Sequence, residues 1–416
     1  MKKILIAGMI GNALEWYDYA IYAQLFNVIS LKFFPSDNSM KQIWVFAIFA
    51  IGSAARPIGG IVFGYIGDKF GRKIALMLGI LTMSVPTAAI GILPPYSVIG
   101  MLAPVMLVLI RIMQGLALGG EFSGCIAYIV ESSPSSRRGF YGSTSFMSMC
   151  LGMAFGSAVT YLLNRFLSQE DFFSWGWRLP FIGGFVIGLV GLYIRKYLSE
   201  TPLYSNAKKK GYLSKSPLKD TIQNHWKKIL LAIFIYLNVC VPFYTITIYM
   251  KSYMIDIGYS DSYASISNFI ILLVLTCFFP ISAYISDFFG RKPMLILASI
   301  LLIISTIPLF FAFNTLIPQI AMAAQILLSI SAALYMGPIP TTLVEIFPMK
   351  IRFTGIAISY NLSVAIFGST IPVAGNLISS LTGNYIYISY YLVFAMVVCL
   401  ITIGVFFRET SYINSV

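Results

Sequence analysis

Apolar runs of 18 or more residues recur along the whole of this chain. Each is long enough to cross a ~30 Å hydrocarbon core as a helix. A chain built of such runs has lipid as the solvent for most of its surface. Backbone N–H and C=O groups find no partners in lipid, so only helices and closed barrels can span it. A barrel would show ~10-residue segments of alternating polarity, and no such pattern is present. Composition agrees: 58% of the 416 residues are hydrophobic and 10% charged, against roughly 25% charged in a soluble domain. The expected fold class is an all-α polytopic membrane protein with twelve transmembrane helices, the first near 4–30 and the last near 386–407.

The net charge of +13 is not spread evenly. Divided at the apolar runs, 21 of the 28 Lys and Arg fall on one side of the membrane and five on the other, while Arg56 and Arg111 lie inside runs. The excess of basic residues in cytoplasmic loops places both termini and the long central loop in the cytoplasm. The charge is a topology signal, so nucleic acid is not an expected partner. The bilayer is, and the basic stretch with Lys208, Lys209, Lys210 and Lys215 is placed to meet anionic headgroups. The opening residues have the lysines and apolar stretch of a signal peptide, but Glu15 and Asp18 interrupt that stretch. They read as the first spanning helix, uncleaved.

The five cysteines lie in apolar runs without metal-like spacing and read as small buried hydrophobes. The single histidine, His225, falls in the basic loop as a solvated residue. There is no phosphate-binding loop, and one loop histidine rules out a Ser/His/Asp arrangement. The chain is therefore not expected to be an enzyme, nor to need a metal or cofactor. Its energy source is an ion gradient or the solute's own gradient.

The chain repeats itself. Gly64-Tyr65-Ile66-Gly67-Asp68-Lys69-Phe70-Gly71-Arg72-Lys73 is echoed, 219 residues on, by Ala283-Tyr284-Ile285-Ser286-Asp287-Phe288-Phe289-Gly290-Arg291-Lys292. Glu131, Pro134, Arg137, Arg138 and Gly139 are echoed by Glu345, Pro348, Arg352 and Gly355. Two echoes at nearly one offset imply two pseudo-symmetric six-helix bundles related by an axis along the membrane normal. The expected organisation is a bundle at 1–198, a basic linker at 199–227 and a second bundle at 228–416.

The Gly-x-x-x-Asp-Lys-x-Gly-Arg-Lys loop, with Arg111 and Gln114-Gly115 in the fourth run, resembles the major facilitator superfamily. Within it, the metabolite:proton symporter family is resembled by Gly11-Asn12 through Glu15-Trp16-Tyr17-Asp18-Tyr19 and by Arg56-Pro57-Ile58-Gly59-Gly60. Gly119-Gly120-Glu121, Trp175-Gly176-Trp177-Arg178, Glu200-Thr201-Pro202 and Arg352-Phe353-Thr354-Gly355 carry the same likeness. The resemblance implies proton-coupled import of a small zwitterion or carboxylate, such as proline, betaine or a dicarboxylate, by a monomer in the bacterial inner membrane. Two departures stand out. Ala283 replaces the first glycine of the second loop, and about nine residues follow the last predicted helix, where osmosensing members carry a long coiled-coil extension.

An ionisable group costs roughly 2.5–3.5 kcal/mol at the centre of a spanning helix on insertion scales, so each one is a functional candidate. Glu15 and Asp18 share a helix face near mid-membrane, at the same depth as Arg56 and Arg111. Two neighbouring carboxylates do not both ionise cheaply, which suits a proton carrier. The other reading is a fixed ion pair with Arg56 or Arg111. Glu121, nearer the cytoplasmic end, is a further protonation candidate or a structural pair. Arg111 either grips a substrate carboxylate bidentately or partners Glu15 or Asp18. Arg56, Gln114, Tyr19 and Tyr22 complete the first-half binding candidates. The second half has no mid-membrane charge and contributes Asn238, Tyr244, Tyr360 and Asn361, whose amides and aromatic faces suit a polar solute or a quaternary ammonium. Asp68, Arg72, Asp287 and Arg291 are candidates for gating pairs at the cytoplasmic helix ends. Glu131 with Arg137 or Arg138, and Glu345 with Arg352, are expected to join that latch.

Overall fold

The computed structural model describes residues 1–35 and 41–410. Among them every regular element is helical. Twelve long passages follow one another, numbered here α1 Lys2–Gln24, α2 Lys41–Lys69, α3 Arg72–Ile92, α4 Leu102–Glu131, α5 Arg138–Phe166, α6 Leu179–Lys196, α7 Pro217–Tyr244, α8 Asp261–Phe289, α9 Arg291–Phe313, α10 Pro318–Met336, α11 Arg352–Ser363 and α12 Ile388–Phe406. Ten passages, those from α3 onward with their continuations, are long and apolar enough to cross a membrane. α1 is helical over a comparable length but carries Asn12, Glu15 and Asp18 in its middle.

By internal contacts the chain divides into two compact units. Unit 1 is Met1–Ser132 with Ser148–Leu218, and unit 2 is Ser133–Met147 with Lys219–Val416. The first third of α5 thus groups with the later helices. Outward-facing side chains are large and apolar, among them Ile58, Leu109, Val373 and Phe394, as a lipid-facing surface requires. Cys277 shares that exposure, unlike the other four cysteines, so it is not the buried hydrophobe its sequence context suggests.

Lipid is as apolar as leucine, so helices in a membrane associate by packing and polar contact, and small residues let backbones approach. In unit 1 this happens between α2 and α4. A methyl group on Gly59 would overlap the Leu116 carbonyl, and one on Gly119 would overlap backbone atoms of Arg56 and Gly60. α1, α3 and α6 close around that pair.

In unit 2, α7 runs through a π-helical turn at Thr245–Tyr249, just past Pro242. α11 does the same at Val364–Gly368 and resumes as Ile371–Thr382. Insertions of this kind widen the helical turn and are frequent at functional sites.

Candidate functional site

α1 brings its two acids to separate arginines. Glu15 Oε1 accepts from Arg56 Nη2 of α2 at 3.1 Å, and Asp18 Oδ2 accepts from Arg111 Nη1 of α4 at 3.0 Å. All four residues are buried, none more than 3% exposed. The α2–α4 backbone contact fixes where the two arginines stand, and the i, i+3 spacing on α1 presents one acid to each.

Asp18 has further donors. Thr87 Oγ1 of α3 lies 2.9 Å from Oδ1, and Gln114 Nε2 donates to the same oxygen at 2.9 Å. Gln114 is held in that orientation because its Oε1 accepts from Arg111 at 2.8 Å. The Arg111 guanidinium lies over the Tyr22 ring, 3.4 Å from its centroid, and the Tyr22 hydroxyl reaches the Val45 carbonyl at 3.4 Å. Tyr19 shares a hydrogen bond with Ser53 at 3.2 Å. Asn12, one turn before Glu15, donates to Ser148 at 2.8 Å. Charges in a dry interior are tolerated when paired and hydrogen-bonded, and the Asp18 carboxylate has a donor on each of its oxygens.

Glu121 forms a third buried pair, with Arg195 of α6. Arg195 is fully buried, its Nε donating to the Ala7 carbonyl at 2.9 Å and its Nη1 to the Leu76 carbonyl. The signal was there to read: Gly184, Gly188, Gly191 and Arg195 are the inward stripe of α6.

In unit 2 the polar candidates are engaged within the bundle. Asn238 donates to Ser299 at 3.2 Å and Asn361 to the Ala357 carbonyl at 2.7 Å. The Tyr236 and Tyr360 rings meet edge to face at 5.2 Å. The Tyr244 ring covers Gly368, where an added methyl would lie 2.8 Å from it.

The two loop motifs build the same knot in each unit. Arg72 pairs with Asp68 and Glu131, each at 3.0 Å. Glu131 accepts from Thr201 Oγ1 at 2.7 Å, and Glu200 receives the Lys73 amide at 3.2 Å. In unit 2, Arg291 pairs with Asp287 at 2.7 Å and Glu345 at 3.4 Å. Glu345 accepts from Thr410 Oγ1 at 2.7 Å, and Glu409 receives the amides of Arg291 at 2.9 Å and Lys292 at 2.8 Å. A carboxylate at these amides satisfies groups that every helix start leaves open. Glu200-Thr201 and Glu409-Thr410 are thus a third internal echo, overlooked on sequence because a dipeptide is too short a signal alone. Tyr204 packs its ring under the Arg72 guanidinium; burial raises its phenol above the usual value, which keeps it a donor to the Lys69 carbonyl.

Two expected latch pairs do not form. Arg137 is exposed on the 3₁₀ turn Ser135–Arg137, turned away by Pro134, and Glu131 takes Arg72 instead. Arg352 donates to the Phe347 carbonyl at 3.1 Å and lies 3.7 Å from Met349 Sδ, while Glu345 takes Arg291 and Thr410. Asp287 also accepts the amides of Gly139 at 2.8 Å and Phe140 at 3.0 Å, at the start of α5.

Gly71 and Gly290 begin α3 and α9 with φ of +122° and +97°. A methyl group at either would press on Glu200 or Glu409. Gly71→Ala and Gly290→Ala should each destabilise by about 1–3 kcal/mol, the usual cost of holding a residue with Cβ in a backbone region that is essentially glycine's alone, with further loss from the displaced carboxylate. Thermal unfolding of the purified variants in detergent checks this.

The Major Facilitator Superfamily profile matches residues 9–372. The Proline/betaine transporter of Salmonella typhimurium is 33% identical over 99% of this chain and 84% of its own. The glycine betaine/proline/ectoine/pipecolic acid transporter of Dickeya dadantii has the same identity and coverage, and the inner membrane metabolite transport protein YhjE of Escherichia coli is 35% identical over 89% of this chain and 86% of its own. Among solved structures, the proton:xylose symporter XylE superposes with a TM-score of 0.82 over 98% of this chain and 96% of that one, at 19% identity. The twelve-helix fold, the buried ionic network and these relatives agree: the chain is a multi-pass membrane transporter of the major facilitator superfamily, not an enzyme.

Proposed function

We propose that the chain is a secondary active symporter that imports a small zwitterion or carboxylate together with a proton. The observation that carries this reading is the pair of buried carboxylates one turn apart on α1, each facing its own arginine. A reversible proton site needs a carboxylate out of water with a counter-charge whose pull it can exchange. Arg56 and Arg111 supply that pull, and either is chemically suited to grip a solute carboxylate.

The solutes in the relatives' names, betaine, proline, ectoine and pipecolic acid, all combine a carboxylate with a nitrogen cation. Such a zwitterion fits an arginine on one side and tyrosine faces on the other. Tyr19 and Tyr22 are the proposed lining beside Arg111 in unit 1, and Asn238, Tyr244, Tyr360 and Asn361 are proposed solute contacts of unit 2 taken by itself. On this reading both termini are cytoplasmic, the chain works as a monomer in the inner membrane, and no cofactor takes part beyond the proton gradient. The knots around Arg72 and Arg291 are the proposed latches of the transport cycle, forming and breaking as the carrier changes state.

The full chain reconstituted in liposomes should accumulate radiolabelled betaine or proline when the outside is acidified. Accumulation should collapse when a protonophore dissipates the gradient. Uptake that equilibrates but ignores the gradient would identify a facilitator. A thermal-shift screen of amino acids, betaines and dicarboxylates ranks the solutes, since a ligand that binds the folded state raises its stability by mass action.

A further inference from the structure

Besides Asp68 and Glu131 of the loop knot, three buried acids lie in unit 1, and their hydrogen bonding differs. Asp18 is surrounded by donors: Thr87 and Gln114 on Oδ1, Arg111 on Oδ2. Gln114 cannot turn its carbonyl towards Asp18 without giving up Arg111. The Thr87 hydroxyl also lies 3.0 Å from the Met83 carbonyl, and it is the one group at Asp18 able to switch from donor to acceptor. Glu121 has both oxygens bridged by Arg195, which is itself anchored to the Ala7 and Leu76 carbonyls. Glu15 is unlike either. Its Oε1 receives one bond, from Arg56, and its Oε2 is buried with no hydrogen-bond partner among the described residues.

An ionised carboxylate in a dry site is held by the donors aimed at it, and leaving one of its oxygens buried without a donor is costly. The charged groups facing Glu15 are Asp18 on its own helix, Arg56 on α2 and Glu121 on α4, with the Cys125 thiol of α4 beside them. Asp18 is paired with Arg111 and Glu121 with Arg195 of α6. Glu121 packs against the same face of α1, since an added methyl on Gly11, one turn before Glu15, would touch both Glu121 and Arg195. Arg56 is the group that pairs with Glu15.

Resting on the reading of the chain as a proton-coupled carrier, we propose that Glu15 is the residue that takes up and releases the coupled proton, through Oε2, while Asp18 is a positioning residue that holds Arg111. A solvent proton forms the Oε2–H bond on one side of the membrane, and the same proton leaves to solvent on the other. While Glu15 is neutral, its hold on Arg56 weakens to that of a neutral acceptor. Arg56 is then available to the carboxylate of the solute, which ties proton uptake to solute uptake.

Infrared difference spectroscopy of the full chain in liposomes, stepped between acid and alkaline pH, reads protonated buried carboxyls without any solute. The wild type should show a titrating carboxyl C=O band. Glu15→Gln should abolish it, and Glu15→Asp should keep a band at a shifted frequency and midpoint. Absence of the band in the wild type, or its persistence in Glu15→Gln, overturns the assignment, and so does its loss in a folded Asp18→Asn. Gradient-driven uptake of radiolabelled betaine and proline tests the underlying reading separately. If uptake ignores the gradient while the band still depends on Glu15, the symport reading has failed and Glu15 is a titrating group without a coupling role.

Discussion

Replacing Arg195 by Met lowers the stability of the folded chain by about 3–5 kcal/mol, the cost of stranding one member of a buried ion pair. Glu121 would be left in a dry bundle with no counter-charge, since Arg195 supplies both of its hydrogen bonds. The carbonyls of Ala7 and Leu76 would lose their donor as well. The double variant Glu121→Leu/Arg195→Met should recover most of the loss, because an apolar pair of similar volume is often neutral or better than a buried ion pair. Thermal unfolding of single and double variants in detergent gives the coupling directly, as the departure from additivity. Additive losses would mean that the pair does not act as a unit.

The second large effect is steric. Gly119→Leu places a branched side chain where the backbones of Arg56 and Gly60 already fill the space. Ordinary overpacking of a core costs about 1–3 kcal/mol, because neighbouring side chains can shift. Here the obstructing atoms are main chain, so α2 and α4 must separate, and the expected loss exceeds that range. Arg56 and Arg111, carried on those two helices, would no longer reach Glu15 and Asp18 together. The expected result is a chain that fails to elute as a monodisperse peak in detergent. Met113→Leu, exposed on the lipid side of the same helix, should elute as wild type does.

Depth and face were legible from residue order alone. The i, i+3 placement of Glu15 and Asp18, and the match in depth with Arg56 and Arg111, follow from a fixed rise and turn per residue. Which acid takes which arginine does not. Glu15 meets Arg56 and Asp18 meets Arg111 because Gly59 and Gly119 let α2 cross α4 at backbone contact. The latch shows the same limit. Glu131 stands six residues from Arg137 in sequence, yet its partner is Arg72, 59 residues away. A short separation promised a contact, but Pro134 turns the chain and the helix ends meet elsewhere.

The sequence by itself determined the solvent of this protein, the number of its helical passages, its internal repeat and the depth of its charges. Each of these depends on residue type and position along one helix, and lipid punishes any error in them. The tertiary structure decided the partnerships. It tied Arg195 to Glu121 and to the Ala7 carbonyl in the core, linked Glu409 and Thr410 to the start of α9, and left one oxygen of Glu15 without a donor among the described residues. Those outcomes depend on how helices cross, and small residues far apart in the chain set the crossings by how closely they let two backbones approach.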